Sequence, residues 1–263
     1  MDFVLKKRYD INDMLRIMEI LRSENGCPWD KEQTHQSIRK DFLEEVYEAV
    51  EAIDLEDTAL LREELGDVLL QVIFHARIEE EKGSFCFGDV VDEVCQKLVI
   101  RHPHVFADVV AETSDEVLKN WNDIKQQTKG QETYYETLES VCTALPALMR
   151  AQKVGKRAER ANMDFENVTQ VLECLETEIA ELKEAIADGK QDCIEDELGD
   201  VLFSCTNLAR HTKCDAEEAL TRATEKFMKR FKATEELVRC DGIDMKSLNI
   251  NELDVYWRKA KEK

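Results

Sequence analysis

Apolar residues recur at three- and four-residue spacings through most of the chain. Ile38, Phe42, Val46, Tyr47, Val50 and Ile53 form one stripe, and Leu61, Leu65, Val68, Leu69, Val72 and Ile73 form the next. Further on, Leu172, Leu175, Ile179, Leu182 and Ile186 make a third, followed by Ile194, Leu198, Val201, Leu202, Cys205 and Leu208. Residues so spaced share one face of a helix. No segment shows the sustained alternation of a strand, so the pattern predicts an all-α protein. Asp188-Gly189 predicts a stop between the third and fourth helices, and Gly83 and Gly242 predict the ends of two others. Pro146 reads as the first residue of a new helix.

The helices are written twice. A shift of 133 positions lays "ELGDVL" at 64–69 on 197–202, Ala76-Arg77 on Ala209-Arg210, and Glu45 and Glu48 on Glu178 and Glu181. Trp121 with Lys125 echoes Trp257 with Lys261. So long a period means duplicated domains rather than a solenoid. The polar stretch 126–145 loses its periodicity, which predicts a first domain over 1–128, a linker over 129–145 and a second domain over 146–263. Each half is expected to be a small helical bundle.

The duplication carries carboxylates with it. Glu45 and Glu48 share one helix face, and Glu64 and Asp67 share a face of the next. Reflection through residue 56 sets Glu48 beside Glu64 and Glu45 beside Asp67 in an antiparallel hairpin. Reflection through Gly189 does the same for Glu181 with Glu197 and for Glu178 with Asp200. A single such cluster reads equally as solvated acidic surface, but the mirror relation is kept in both copies. Ionised carboxylates this close repel one another, and a divalent cation relieves the conflict. All-oxygen donors favour a hard ion, Mg²⁺ or Mn²⁺. A di-iron centre would want a Glu-x-x-His on each of two helices, and the only such spacing is Glu32-x-x-His35.

Composition narrows the partners. The net charge of −21 over 263 residues argues against nucleic acid and anionic membrane. An anionic substrate would then need metal ions or a local basic cluster. "TRATEKFMKRFK" at 221–232 is such a cluster: Lys226 and Arg230 lie one turn apart and suit phosphate oxygens, although a solvated charged face would look the same. Trp257 offers a stacking or packing surface and Lys261 a further cation. His102-Pro103-His104 has no second-half counterpart, and Pro103 reads as a helix terminator. Gly66 and Gly199, each inside a helix, suggest close helix approach or room for a ligand. Nine cysteines without a CxxC suggest buried free thiols in a reducing, cytoplasmic setting. Neither an apolar signal core nor a membrane-length apolar run is expected.

Glu44-Glu45-x-x-Glu48 followed by Glu64-x-x-Asp67 resembles the motif of the MazG family of nucleoside triphosphate pyrophosphohydrolases. "NGCPWDKEQTHQSI" at 25–38, "RHPHVFAD" at 101–108 and "LPALMRAQK" at 145–153 extend the resemblance to two-domain members over nearly the whole chain. The resemblance implies two tandem MazG-type helical bundles, completed by homodimerisation. It also implies Mg²⁺-dependent hydrolysis of NTPs or dNTPs to the monophosphate and pyrophosphate. Metal ligands would be Glu45, Glu48, Glu64 and Asp67 in the first half and Glu178, Glu181, Glu197 and Asp200 in the second. Lys226, Arg230, Trp257 and Lys261 would contact nucleotide. The sequence departs from the family at Thr177, which stands where the motif has its first Glu. The second half nevertheless has the less offset basic stretch, and it is expected to carry catalysis. A narrow dNTP or dUTP pyrophosphatase, or a non-catalytic nucleotide- or metal-binding module, are the alternatives.

Overall fold

The computed structural model describes residues 3–261 except 108, 110–112, 114, 115, 118, 119, 122, 123, 125, 127 and 129. Lys125, the echo of Lys261, lies outside the described residues, as does residue 129, where the linker was expected to begin. Among the described residues every regular element is helical, in agreement with the spacing. The chain divides into two compact units, Met1–Lys125 and Gln126–Lys263.

The first unit contains α1 (Ile11–Leu21), the short α2 (Pro28–Glu32), α3 (Arg39–Asp54), α4 (Thr58–Glu81), α5 (Phe87–Arg101) and the short α6 (Pro103–Phe106). Asp10 starts α1 by accepting from the amides of Asn12 and Asp13, while Asp13 accepts from the amide of Asp10 in return. Asp57 starts α4 in the same way, accepting from Ala59 and Leu60. Only Leu55, Glu56 and Asp57 separate α3 from α4, so the two pack as an antiparallel hairpin. Met18, Ile38, Ile73, Phe74 and Ile78 form the core, with Met14, Leu15, Leu70 and Phe87 against it. This core lies toward the open end of the hairpin, away from the turn. Pro103 opens α6 directly after α5 ends, as a terminator should.

The second unit contains α7 (Tyr134–Glu139), α8 (Ala147–Glu159), α9 (Val168–Asp188), α10 (Gln191–His211), α11 (Ala216–Cys240), a 3₁₀ turn (Met245–Ser247) and α12 (Ile250–Lys261). Pro146 stands one position earlier than expected, as the cap before α8. Residues 134–141 fall within the stretch read as linker. There α7 packs on α8, Val141 is buried, and Arg157 donates to the Thr137 carbonyl and to Ser140. Gly189 closes α9 in the left-handed conformation, its amide donating to Ala185. The α9–α10 hairpin thus turns where the sequence placed it. Val171, Thr206, Thr234 and Val238 are fully buried, and the two threonines satisfy their hydroxyls on the carbonyls of Phe203 and Arg230. Gly155 on α8 allows close approach to α10: a Cβ there would stand 2.9 Å from Oδ1 of Asn207.

One expectation fails, that of buried thiols, and two others take a definite form. Among the described residues a Cβ on Gly66 or Gly199 would meet open space, which removes close helix approach and agrees with the other reading, room for a ligand. The cysteines are free but none is buried: Cys27, Cys86 and Cys174 are half-buried and the other six exposed. The apolar stripes are only partly covered within one chain. Val46, Tyr47, Val50 and Ile53 on α3 and Leu65 on α4 are exposed, as are Leu172 and Ile186 on α9 and Leu198 and Leu202 on α10.

Candidate metal centre

In the first hairpin, α3 supplies Glu45 and Glu48 and α4 supplies Glu64 and Asp67. One carboxylate oxygen from each of Glu45, Glu48 and Glu64 lies within 4.8 Å of the others. Opposite ligands on one Mg²⁺ stand about 4.2 Å apart, so slight closure brings all three onto a single ion. Asp67 adjoins this triad closely enough for its charge to act on both Glu45 and Glu64. Burial first, then Asp67, Glu48 and Glu64, push the Glu45 carboxyl above its ordinary value. Glu64, which is buried, is raised first by burial and then by Glu48, Asp67 and Glu63.

In the second hairpin, Glu178 on α9 and Glu197 and Asp200 on α10 converge within the same 4.8 Å, with Asp200 rather than Glu181 as the third member. Burial, then Glu181, Asp200, Glu178 and Asp196, raise the Glu197 carboxyl. Glu181 is therefore close, although outside the tight triad. Cys174 Sγ donates to Glu178 Oε1 across 3.6 Å, and burial pushes that thiol up. Among the described residues no hydrogen bond or ion pair brings a cation to either cluster. Carboxylates gathered without a counter-ion, with their proton affinity raised by each other and by burial, are the donor set a hard divalent cation neutralises. The residues present fit Mg²⁺ or Mn²⁺.

The residues expected to meet phosphate lie on α11 and α12, which pack on one another. Lys226 is exposed and Arg230 half-buried, and neither forms an ion pair among the described residues. Lys97 of the first half, which falls on Lys226 when residues 92–98 are laid on 221–227, is tied to Glu93 at 3.3 Å. Trp257 is half-buried with its ring 5.2 Å from that of Phe227, so packing takes up part of its surface. Lys261 ends α12 and is exposed. Among the described residues no hydrogen bond or ion pair joins these four to the second carboxylate cluster. Among the described residues the His102 and His104 rings stand 5.6 Å apart and join no metal-type group.

Sequence reasoning missed two clusters. His35 meets His75 through their Nδ1 atoms at 2.7 Å and Glu79 through Nε2 at 2.6 Å. Lys82 first, then His35, hold the Glu79 carboxyl at about 2. The spacing His75-x-x-x-Glu79, one turn of one helix, was the available signal. In the second unit Asp164 accepts two bonds from Arg210, at 2.6 and 2.5 Å, and one from His211 at 3.0 Å. Both clusters clamp the segment before a hairpin onto the hairpin's second helix.

Fold and site together define an all-α protein with a carboxylate cradle in each of two hairpins. The model of the MazG nucleotide pyrophosphohydrolase domain matches residues 33–106 and 166–234, more than half of the chain. The nucleoside triphosphate pyrophosphohydrolase/pyrophosphatase MazG of Thermotoga maritima is 44% identical over 249 residues, covering 95% of this chain and 94% of that protein. The nucleoside triphosphate pyrophosphohydrolase of Escherichia coli K12 is 43% identical over 256 residues, covering 95% and 97%. The Bacillus subtilis protein YabN, described as uncharacterized, is 41% identical; the match spans 97% of this chain but 52% of YabN. The chain belongs to the MazG family.

Proposed function

We propose that this chain is a divalent-metal-dependent nucleoside triphosphate pyrophosphohydrolase of broad specificity that clears surplus or aberrant nucleotides. Family membership supports the reaction class. The observation that carries the metal dependence is the convergence of three carboxylates in each hairpin with no cation bonded to them among the described residues, two of the three at equivalent positions. A bound Mg²⁺, with Mn²⁺ as substitute, would offset phosphate charge and acidify a water. Glu178, Glu197 and Asp200 would hold it in the second half; Glu45, Glu48 and Glu64, with Asp67 beside them, in the first.

The chain's own groups supply the rest. Glu181, outside the tight triad, takes the proton of the water that attacks the α-phosphorus. The bond from that phosphorus to the α,β-bridging oxygen breaks, and pyrophosphate leaves. Lys226, Arg230 and Lys261 hold phosphate oxygens, and the free face of Trp257 packs on the nucleoside. Cations and a ring face do not read the edge of a base, which supports broad specificity. Lys226 and Arg230 lack the ion pair that occupies Lys97, so the second half carries turnover. The first half binds nucleotide as a second site.

Exposed surface supports a homodimer. The uncovered stripes on α3, α4, α9 and α10 are apolar enough to form an obligate interface. The net charge of −21 supports a small-molecule partner over nucleic acid or membrane. No helix among the described residues is long and apolar enough to cross a membrane. The free thiols support a cytoplasmic setting.

Phosphorus NMR of a dNTP and NTP panel incubated with the chain and Mg²⁺ tests the function. Monophosphate and pyrophosphate from several bases, lost on adding chelator, are expected. Orthophosphate instead of pyrophosphate, or one accepted base, would overturn the reaction or its breadth respectively.

A further inference from the structure

One buried side-chain oxygen on the helix that carries Glu64 and Asp67 has no hydrogen-bond partner among the described residues. Gln71 is 8% exposed, and its side-chain Oε1 is shielded from solvent without a hydrogen bond. Burying an amide oxygen in that state is destabilising, and buried polar groups are otherwise almost always paired. Gln71 lies four residues beyond Asp67 and seven beyond Glu64, on the face of α4 that carries both. Reflection through the turn at Glu56 sets it opposite Asp41.

The second half shows what this layer touches. The equivalent pair is Ser204 and Cys174, with Oγ and Sγ 3.8 Å apart, and Cys174 Sγ bonds to the cluster residue Glu178. The layer is thus adjacent to the carboxylates. A glutamine carries its polar atoms two bonds further than a serine does. In the second half the thiol engages the polar group at this position; in the first half the amide oxygen is unengaged.

We infer that the Gln71 carboxamide is a substrate-contacting group of the first-half site, bonding to the water and phosphate oxygens that a nucleotide brings to Glu45, Glu48 and Glu64. The inference rests on the first-half cluster being a nucleotide site, as proposed above. A carboxamide offers an acceptor and two donors, so a half-rotation serves either a water hydrogen or a phosphate oxygen. Ser204, held by Cys174, does not make this contact, and the two halves grip nucleotide differently.

The test uses the full chain with the second cluster disabled by Glu178→Gln and Glu181→Gln. The probe is an α,β-imido nucleoside triphosphate with Mg²⁺, titrated by calorimetry. Gln71→Met removes the amide and keeps the volume; Gln71→Leu removes it with a different shape. Both are expected to bind the probe about tenfold more weakly, while the metal-free Gln71→Met chain unfolds at the same or a higher temperature. Affinity within twofold of the parent, or a loss that comes only with lower heat stability, overturns the inference. A parent chain that binds no probe also overturns it, yet leaves pyrophosphate release by the second half untouched.

Discussion

Glu56 and Gly189 occupy the same position in the two hairpin turns and share the same left-handed backbone, with φ of 54° and 72°. Glycine takes that conformation freely, whereas a residue with a Cβ is strained there by about 1 kcal/mol or more. The first turn tolerates Glu56 because Asp57 N–H reaches the Ala52 carbonyl at 3.0 Å and Asp57 caps the next helix. Glu56→Gly is expected to stabilise the chain by about 0.5–1 kcal/mol, and Gly189→Ala to destabilise it by about 1 kcal/mol. Urea unfolding of each variant measures both, and a loss of stability in Glu56→Gly would show that the turn is not strained.

Glu64 makes the metal-free fold sensitive to pH. Its carboxyl has an ordinary value of 4.5 and is raised in the fold. Between the two values the folded chain keeps a proton that the unfolded chain has lost. The contribution of this group is therefore complete below 4.5 and falls away as pH climbs through the folded value. Glu64→Gln should raise the unfolding temperature of the chelator-treated chain at pH 7. It should also shrink the further rise that Mg²⁺ brings to the unchanged chain. Thermal unfolding with chelator and with Mg²⁺ reads both effects; a Glu64→Gln chain less stable without metal would contradict the unrelieved repulsion.

Asp164 has the opposite sign. Arg210, with His211 and the Phe165 amide helping, holds its carboxyl below the ordinary 3.8. Its stabilisation is present above 3.8 and is lost as pH falls below that value. Asp164→Asn leaves a nearly buried guanidinium with only the exposed Glu159 carboxylate, 3.2 Å away, as counter-charge and is expected to cost about 2 kcal/mol at pH 7. The variant should also show a flatter acid limb in a pH series of unfolding midpoints. An unchanged limb would place the acid response elsewhere.

The hairpin register was legible because mirror positions depend only on where the chain turns, and Gly189 marks one turn in the sequence. The first turn lacks that mark, since Glu56 bends without glycine, yet the duplication supplied it. Which three oxygens converge was not legible. Asp67 stands outside the first triad and Glu181 outside the second, a matter of rotamer and helix rotation rather than spacing. Which of the two readings of Gly66 and Gly199 holds was not legible, because the sequence does not say which face of a helix has a neighbour. The stripe of α3 was legible as apolar but not as uncovered. The His35–His75–Glu79 cluster needs a contact across forty residues, and the spacing His75-x-x-x-Glu79 shows a shared helix face without its partner.

The carboxylate cradle of the second half stands at the centre of the proposed activity. Two full-length variants test it most directly: Glu178→Ala/Glu181→Ala and Glu45→Ala/Glu48→Ala, assayed side by side for Mg²⁺-dependent pyrophosphate release. Removing two groups that hold the ion and take the proton is expected to cost roughly a thousandfold or more in turnover. That loss should appear in the Glu178/Glu181 variant, while the Glu45/Glu48 variant keeps most of its rate. Full activity without Glu178 and Glu181, with turnover abolished by loss of Glu45 and Glu48, would contradict it.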